Sequence, residues 1–450
     1  MAKSKELTTP PPQFVDKIKV NGKLTPKPTM RNALIALDAL DVKCTYDTFA
    51  DRRYIAGELL DSHVGQITDD VCLLIRRICR DRFAFDPGKD NLWDAVNLKC
   101  RINSYHPIRD YLDDVEFAWD GVHRIDTWLT DYLGVPNTPL VRAMSRLIMI
   151  ASVRRVRQPG CKWDYMPVLV GPENMAKSLS ISTLYGHEYF SDQKLIGIQD
   201  KELAEAVRGR WANESAELAG LRKADIDHLK AQITRQTDRI RPAYGRAVID
   251  VPRQNVMWGT TNDPIFLRSQ HGNRRMVPLE PTKIDIAKLA ADHDQLWAEA
   301  SVAERVHGDS LAMPAEVWEE AKAKQAEHVE FDPWADKLAD ISTRAANCAL
   351  SMKRTNAKAR SVDGTSAETE PLPYERREAG DFEFTPGTWS NEERVSSAWL
   401  LATVLSIPEE RQTPAITHRL STVMQQLGWS NPHVLRIGGT AQRGFKRPLR

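Results

Sequence analysis

The spacing of apolar positions changes texture several times along the chain. From Met30 to Gln158 apolar side chains recur every three or four residues, as in Val71, Leu74, Ile75 and Ile78 and later in Val141, Met144 and Ile148. That period places one helix face on a core and predicts an all-helical N-terminal domain over 29–158. Between Tyr165 and Pro281, short apolar runs bounded by Gly, Pro, Asn and Asp alternate with charged helical stretches. This is the pattern of an α/β core, a parallel sheet flanked by helices, over 159–284. Helical periodicity returns in a lid or extension over 285–352. The polar, turn-rich stretch 353–394 reads as a linker, and 395–450 as a small winged-helix-like domain, a helix followed by two strand-like runs about Gly438-Gly439. Residues 1–28, rich in Pro and Lys with few apolar anchors, read as a flexible arm.

Charge adds little at the level of the whole chain. Sixty-two Lys and Arg against 61 Asp and Glu leave a net charge of +1, so a nucleic-acid surface has to come from local clustering. One such cluster is the C-terminal segment, where Arg411 to Arg450 holds seven basic residues and no acidic one, with Trp429 and Phe445 interleaved. The six cysteines form no C-x-x-C pair and stand beside no His cluster, which predicts reduced structural thiols. No signal-peptide stretch and no long apolar run interrupts the chain, and the expectation is a cytoplasmic protein without a membrane span.

The chemistry concentrates in the α/β core. Met166-Pro-Val-Leu-Val170 reads as a buried strand feeding Gly171-Pro172-Glu173-Asn174-Met175-Ala176-Lys177-Ser178 and then an apolar helix beginning at Leu179. In a phosphate-binding loop of this kind, successive backbone N–H groups and the helix N-terminus face phosphate. The Lys pairs with the β- and γ-phosphates, and the hydroxyl binds magnesium. Ala176 stands where a glycine is expected, costing roughly 1–2 kcal/mol if φ is positive there and little if it is right-handed. An ordinary strand-loop-helix with a solvated lysine is the plainer alternative.

Three further elements follow. In Arg210-Trp211-Ala212-Asn213-Glu214-Ser215-Ala216-Glu217, carboxylates at a strand end can hold hydrated magnesium and polarise water. Glu214 is the first choice and Glu217 the second, unless both are helix-surface acids. Val256-Met-Trp-Gly-Thr-Thr-Asn262 is an apolar strand ending in an amide that can orient water beside a γ-phosphate, or simply cap the Asp263-Pro264 turn. Arg274 and Arg275 can supply a guanidinium across a subunit boundary, or sit on a solvated loop. The expected catalytic set is Lys177, Glu214, Glu217, Asn262, Arg274 and Arg275. Residues 171–179 would bind ATP, with Ser178 and Glu214 at Mg2+.

The order of these elements, with His106-Pro-Ile-Arg-Asp-Tyr-Leu112, Trp119-Asp-Gly-Val-His-Arg124, Ala216 to Lys223, Arg235 to Arg239, Gly259 to Asn262 and Gly272 to Arg275, resembles the virulence-associated E (VirE) family of phage and mobile-element replication proteins. The resemblance spans roughly residues 30–345. It implies a phosphate-loop ATPase core related to superfamily-three helicases, which work on DNA as rings, with a homo-hexamer expected and single-stranded DNA in the channel. Those relatives carry a hairpin before the sensor strand, a place taken here by Arg239, Arg241, Tyr244 and Arg246. Guanidinium groups can track phosphates there while an aromatic ring stacks on a base. The family often has glycine where this chain has Asn174 and Ala176. No paired-Asp catalytic strand is visible in the first 150 residues, so primer synthesis is not expected. The sequence therefore predicts an ATP-hydrolysing, helicase-like DNA replication protein. The alternative is a DNA-binding replication or regulatory factor that no longer hydrolyses ATP.

Overall fold

The computed structural model describes residues 12–218, 223–240, 247–267, 273–329, 332–342, 344–346, 348–349, 352, 372–377 and 392–449. The chain divides into two compact units, Met1–Val329 and Glu330–Arg450. Among the described residues, no helix is long and apolar enough to cross a membrane.

The first unit opens on a hairpin, β1 (Lys17–Val20) with β2 (Lys23–Pro26), inside the stretch expected to be a flexible arm. The reason is local: Asn21 and Gly22, at φ +49° and +81°, form the two-residue turn whose twist matches paired strands. The expectation of an all-helical 29–158 also needs correction. Helix α1 (Met30–Ala39) is capped by the Thr29 hydroxyl, and then β3 (Lys43–Asp47), β4 (Arg52–Ala56), β5 (Gly65–Gln66) and β6 (Ser104–Tyr105) form a sheet of order β5-β4-β3-β6. Helices α2 (Asp69–Phe83) and α3 (Lys89–Ile102) pack on it around Leu37, Cys44, Ile55, Ile75, Leu92 and Val96. Strands of two to five residues are too short for their alternation to stand out against the helices beside them.

The remaining N-terminal helices, α4 (Pro107–Glu116), α5 (Trp128–Leu133) and the nearly wholly buried α6 (Pro139–Arg157), lead into the expected core. That core contains β7 (Met166–Val170), α7 (Lys177–Tyr185), β8 (Phe190–Ser191), α8 (Asp200–Val207), β9 (Ala212–Ser215), α9 (Lys223–Thr234), a hairpin of β10 (Thr237–Ile240) and β11 (Ile249–Pro252), then β12 (Val256–Thr261) and β13 (Met276–Leu279). Five of these strands form one sheet of order β13-β7-β12-β9-β8, parallel at every pairing. Strands β7 and β12 are buried along their whole length, as strands covered on both faces must be. Leu169, Val256 and Trp258 face one apolar cluster; Met166, Val168 and Met257 face the other. Gly259 marks a close approach in this sheet, since a Cβ there would lie 2.7 Å from Leu218.

The expected helical extension is split. Helices α10 (Ile286–Ala291), α11 (His293–Val306) and α12 (Trp318–Glu327) belong to the first unit, whereas Pro333–Ala339 belongs to the second. In the second unit, β14 (Tyr374–Arg377) and β15 (Glu392–Ser396), which fall in the expected linker, join β16 (His433–Ile437) and β17 (Thr440–Pro448) in a sheet of order β14-β15-β17-β16. The helix Pro414–Gln426 precedes the hairpin, which turns at Gly438 and Gly439, both at positive φ.

Candidate functional site

Parallel pairing brings the carboxyl ends of β7, β9 and β12 to one edge of the sheet. The chain leaves β7 to build β8, β9 and β12 on one side of it, then crosses to place β13 on the other. Ligands bind such open sheets where the connections diverge, beyond the strand ends. A cleft of about 390 Å³ lies there, lined by residues of 173–179 with Ala216, Glu217 and Thr260 to Asn262.

The loop expected to bind phosphate leaves β7 at Gly171, whose N–H donates to the Thr261 carbonyl at 3.1 Å. It enters α7 through Ala176, at φ +62° and ψ +28°. Asn174 is also left-handed, at φ +60°. The loop has therefore adopted the more costly of the two conformations foreseen for Ala176, and non-glycine side chains carry that cost. Behind it α7 is fixed by packing: Tyr185 is buried among Trp211, Trp258 and Trp297, and the Trp297 indole donates to the Leu184 carbonyl at 2.8 Å. Leu179 is 45 % exposed at the cleft side of this helix, not in the core.

Lys177 is 8 % exposed. Its Nζ donates to the carbonyls of Gly171 at 2.6 Å and Pro172 at 2.7 Å, and to Asn262 Oδ1 at 2.8 Å. Burial lowers the ammonium's pKa below the ordinary lysine value, opposed by the charges of Glu173 and Glu214. The Asn262 amide reaches Glu173 Oε1 at 3.3 Å. Across the cleft Glu214, 1 % exposed, accepts from the Ser178 hydroxyl at 2.7 Å and from Thr260 Oγ1 through the same Oε1, while its buried Oε2 has no hydrogen-bond partner. A buried carboxylate oxygen without a donor, beside a hydroxyl, is a hard-oxygen pair of the kind Mg2+ selects. Glu217 follows at φ +54°, exposed on the cleft wall.

Five of the expected positions are thus brought together: Lys177, Ser178, Glu217 and Asn262 line one cleft, and Glu214 lies behind its wall, bonded to Ser178 and Thr260. Arg274 and Arg275 do not join them. They lie in a turn, Asn273–Arg275, immediately before β13, whose Met276 pairs with Met166 at the start of β7. From that level, Met166, to Gly171 is five residue steps, about 16.5 Å at ~3.3 Å each. Within one chain the two arginines stand at the other end of the sheet. Gly272 of the same motif lies outside the described residues, as do Arg241, Tyr244 and Arg246. Arg239 is on β10 and 78 % exposed, 3.7 Å from Asp250.

Some contributors were not foreseen. Thr260 is recruited because β12 lies beside β9 with Trp258 level with Glu214, a register invisible in the sequence. The β10–β11 hairpin is anchored by a buried ion pair in which Arg253 Nε and Nη2 reach Asp238 at 2.7 and 3.0 Å, while Arg253 Nη1 donates to the Gln232 carbonyl at 2.6 Å. The Arg-x-x-Asp spacing of Arg235 and Asp238 was the available signal for a charge network there. A cluster of Glu280, Glu327 and His328 has metal-like spacing, but Lys324 Nζ sits 2.7 and 2.8 Å from the two carboxylates and supplies the positive charge. In the C-terminal segment, Arg447 and Lys446 pair with Glu393 and Glu392, so part of its basic charge is already neutralised.

Comparison with known proteins yields one family match: residues 112–330 fit the virulence-associated protein E-like domain. Among solved structures, the apo C-terminal region of NrS-1 aligns over 92 % of this chain and 98 % of its own, with 11 % identity and a TM-score of 0.45. The A form of the same apo region aligns with equal coverage at 10 % identity and a TM-score of 0.42. No curated protein matches the chain.

Proposed function

Because residues 112–330 match the virulence-associated protein E-like domain, we propose that the chain is an ATP-hydrolysing, helicase-like DNA replication protein of a phage or mobile element. The observation that carries this reading is the double link across the cleft, Lys177 to Asn262 at 2.8 Å and Ser178 to Glu214 at 2.7 Å. Four side chains from three strand ends converge where a triphosphate can meet the first turn of α7.

In this reading the Lys177 ammonium exchanges its carbonyl partners for phosphate oxygens of ATP, an exchange its partial desolvation favours. Ser178 and Glu214 would hold Mg2+, directly or through its water, and the ion when bound neutralises charge on the β- and γ-phosphates. Glu214 orients and polarises the attacking water. Asn262, a neutral donor and acceptor in one side chain, holds that water against the γ-phosphate. Arg274 or Arg275 reaches the site of a neighbouring copy in a ring, a hexamer in the family's manner, and Arg239, Arg241, Tyr244 and Arg246 engage single-stranded DNA. The helix and Gly-turned hairpin of the C-terminal unit serve as a winged-helix-like DNA contact.

Replacing Lys177 with Ala is expected to reduce ATP turnover to background with the thermal midpoint retained. Turnover at the parental rate would remove the assignment. The side chains of Asn174 and Ala176, in a loop where glycine would let the backbone approach phosphate closely, favour a second reading, a DNA-binding factor that does not turn over ATP. Turnover by the parental protein, with single-stranded DNA present, decides between the two.

A further inference from the structure

A second, larger cleft of about 670 Å³ lies between the N-terminal sheet and the hairpin, and shares no residue with the phosphate cleft. Tyr46 on β3 and Arg53 on β4 are directly paired across the sheet and so project from one face. The Arg53 guanidinium lies 5.3 Å from the centre of the Tyr46 ring. Arg101, at the end of α3, lines the same cleft, and β11 forms the opposite wall.

The charges in this cleft do not cancel evenly. Asp51 is bound by Arg208 and by the Tyr46 hydroxyl, Asp238 by Arg253, and Asp250 faces Arg239. Every lining carboxylate therefore has its own guanidinium. Arg53 and Arg101 are left with no carboxylate within ion-pair distance among the described residues, and Arg53 Nε is buried without a hydrogen-bond partner. A buried donor lacking an acceptor is costly in a protein interior, and an oxyanion would satisfy it.

We propose that this cleft is a separate site for single-stranded DNA, in which Arg53 and Arg101 hold phosphates and the Tyr46 ring stacks on a base. Unpaired guanidinium beside a half-buried aromatic is the combination that binds single strands, and the bases of a duplex are not free to stack. The opposite wall includes Asp250 on β11, the register partner of Arg239 on β10, so a strand engaged by Arg239 would lie beside the cleft. The inference rests on the reading of the chain as a DNA-acting protein, and it requires no ATP turnover.

The test is binding of a fluorescein-labelled oligothymidylate of about 20 nucleotides to the full chain across a salt series from about 50 to about 200 mM. For the Arg53→Ala/Arg101→Ala variant, affinity should fall about tenfold or more at low salt. The slope of log affinity against log salt should flatten by about 1.4, two contacts at ~0.7 each. Arg52→Ala, which removes a charge from the opposite face of β4, should leave the slope unchanged. Arg53→Lys/Arg101→Lys, which keeps charge and fold but loses the guanidinium fork, should fall between. Equal slopes for the double alanine variant and the parent overturn the site, as does full displacement of the oligonucleotide by dTMP, which would mark a mononucleotide pocket. Absence of binding by the parent overturns the DNA reading as well, so the two failures are separable.

Discussion

The two ends of the five-stranded sheet are built from the same strands and carry opposite kinds of chemistry. At the carboxyl ends of β7, β9 and β12, an ammonium, a hydroxyl, a carboxylate and an amide interlock over distances of 2.6 to 2.8 Å. At the amino end, Arg274 and Arg275 precede β13 with β7 running away from them. A parallel sheet is polar: every strand delivers its loop, and every following helix its N–H-rich terminus, to the same edge. Residues at the other edge cannot join that site within one chain. The contrast excludes the arginine pair from the site of its own chain, and the role across a subunit boundary expected from the sequence is the one left to test.

The strongest way to break this comparison is to separate its two ends by mutation. Arg274→Ala/Arg275→Ala should lower kcat about 10³-fold or more, the range for an arginine supplied in trans, while nucleotide binding persists. Mixed with the Lys177→Ala protein, itself inactive, it should recover part of the parental turnover, because one variant brings the loop and the other the guanidinium. Steady-state ATPase assays on the separate and mixed proteins read both effects. Parental turnover in the double variant, or no recovery on mixing, would return the pair to a plain solvated turn.

Within the carboxyl end, Glu214→Gln keeps the acceptor for Ser178 and Thr260 but removes the charge. Turnover should fall about 10² to 10⁴-fold, as for loss of a positioned general base, with ATP affinity nearly retained. Glu217→Gln, altering an exposed side chain on the cleft wall, should cost far less. If the larger loss attends Glu217, the two carboxylates exchange roles.

How much of this was legible in the sequence differs between the two ends for the same physical reason. The carboxyl end could be read because the pattern sought for a phosphate-binding loop is local, strand, loop, Lys-Ser, helix in fixed order, and because β7 and the first half of β12 are apolar runs. The N-terminal sheet escaped notice because Lys43–Asp47 and Arg52–Ala56 are short and half-exposed, and β5 and β6 have two residues each. The Asn21-Gly22 turn did carry a signal, hidden among prolines. Thr260's contact with Glu214 and the Arg253–Asp238 anchor depend on strand register and long-range pairing, which periodicity does not encode. Tyr46 and Arg53 are neighbours only once β3 and β4 are known to pair.

The smallest expected effect concerns the loop's own strain. Ala176 sits at φ +62° and its carbonyl still accepts from the Ser180 N–H at 2.9 Å, so α7 begins on a left-handed residue. The loop is held in that shape by the protein's own groups, through the bonds of Lys177 to the Gly171 and Pro172 carbonyls. The strain is then a cost of folding, not of binding ATP. Ala176→Gly relieves about 1–2 kcal/mol of Cβ repulsion and gives back about 0.5–1 kcal/mol in backbone entropy. A net gain of up to about 1.5 kcal/mol should raise the denaturation midpoint and leave ATP affinity within about twofold. Asn174→Gly should gain less, since asparagine tolerates the left-handed region through local hydrogen bonding. Tighter ATP binding without added stability would mean that the loop relaxes between turnovers, and the strain would then belong to the catalytic cycle.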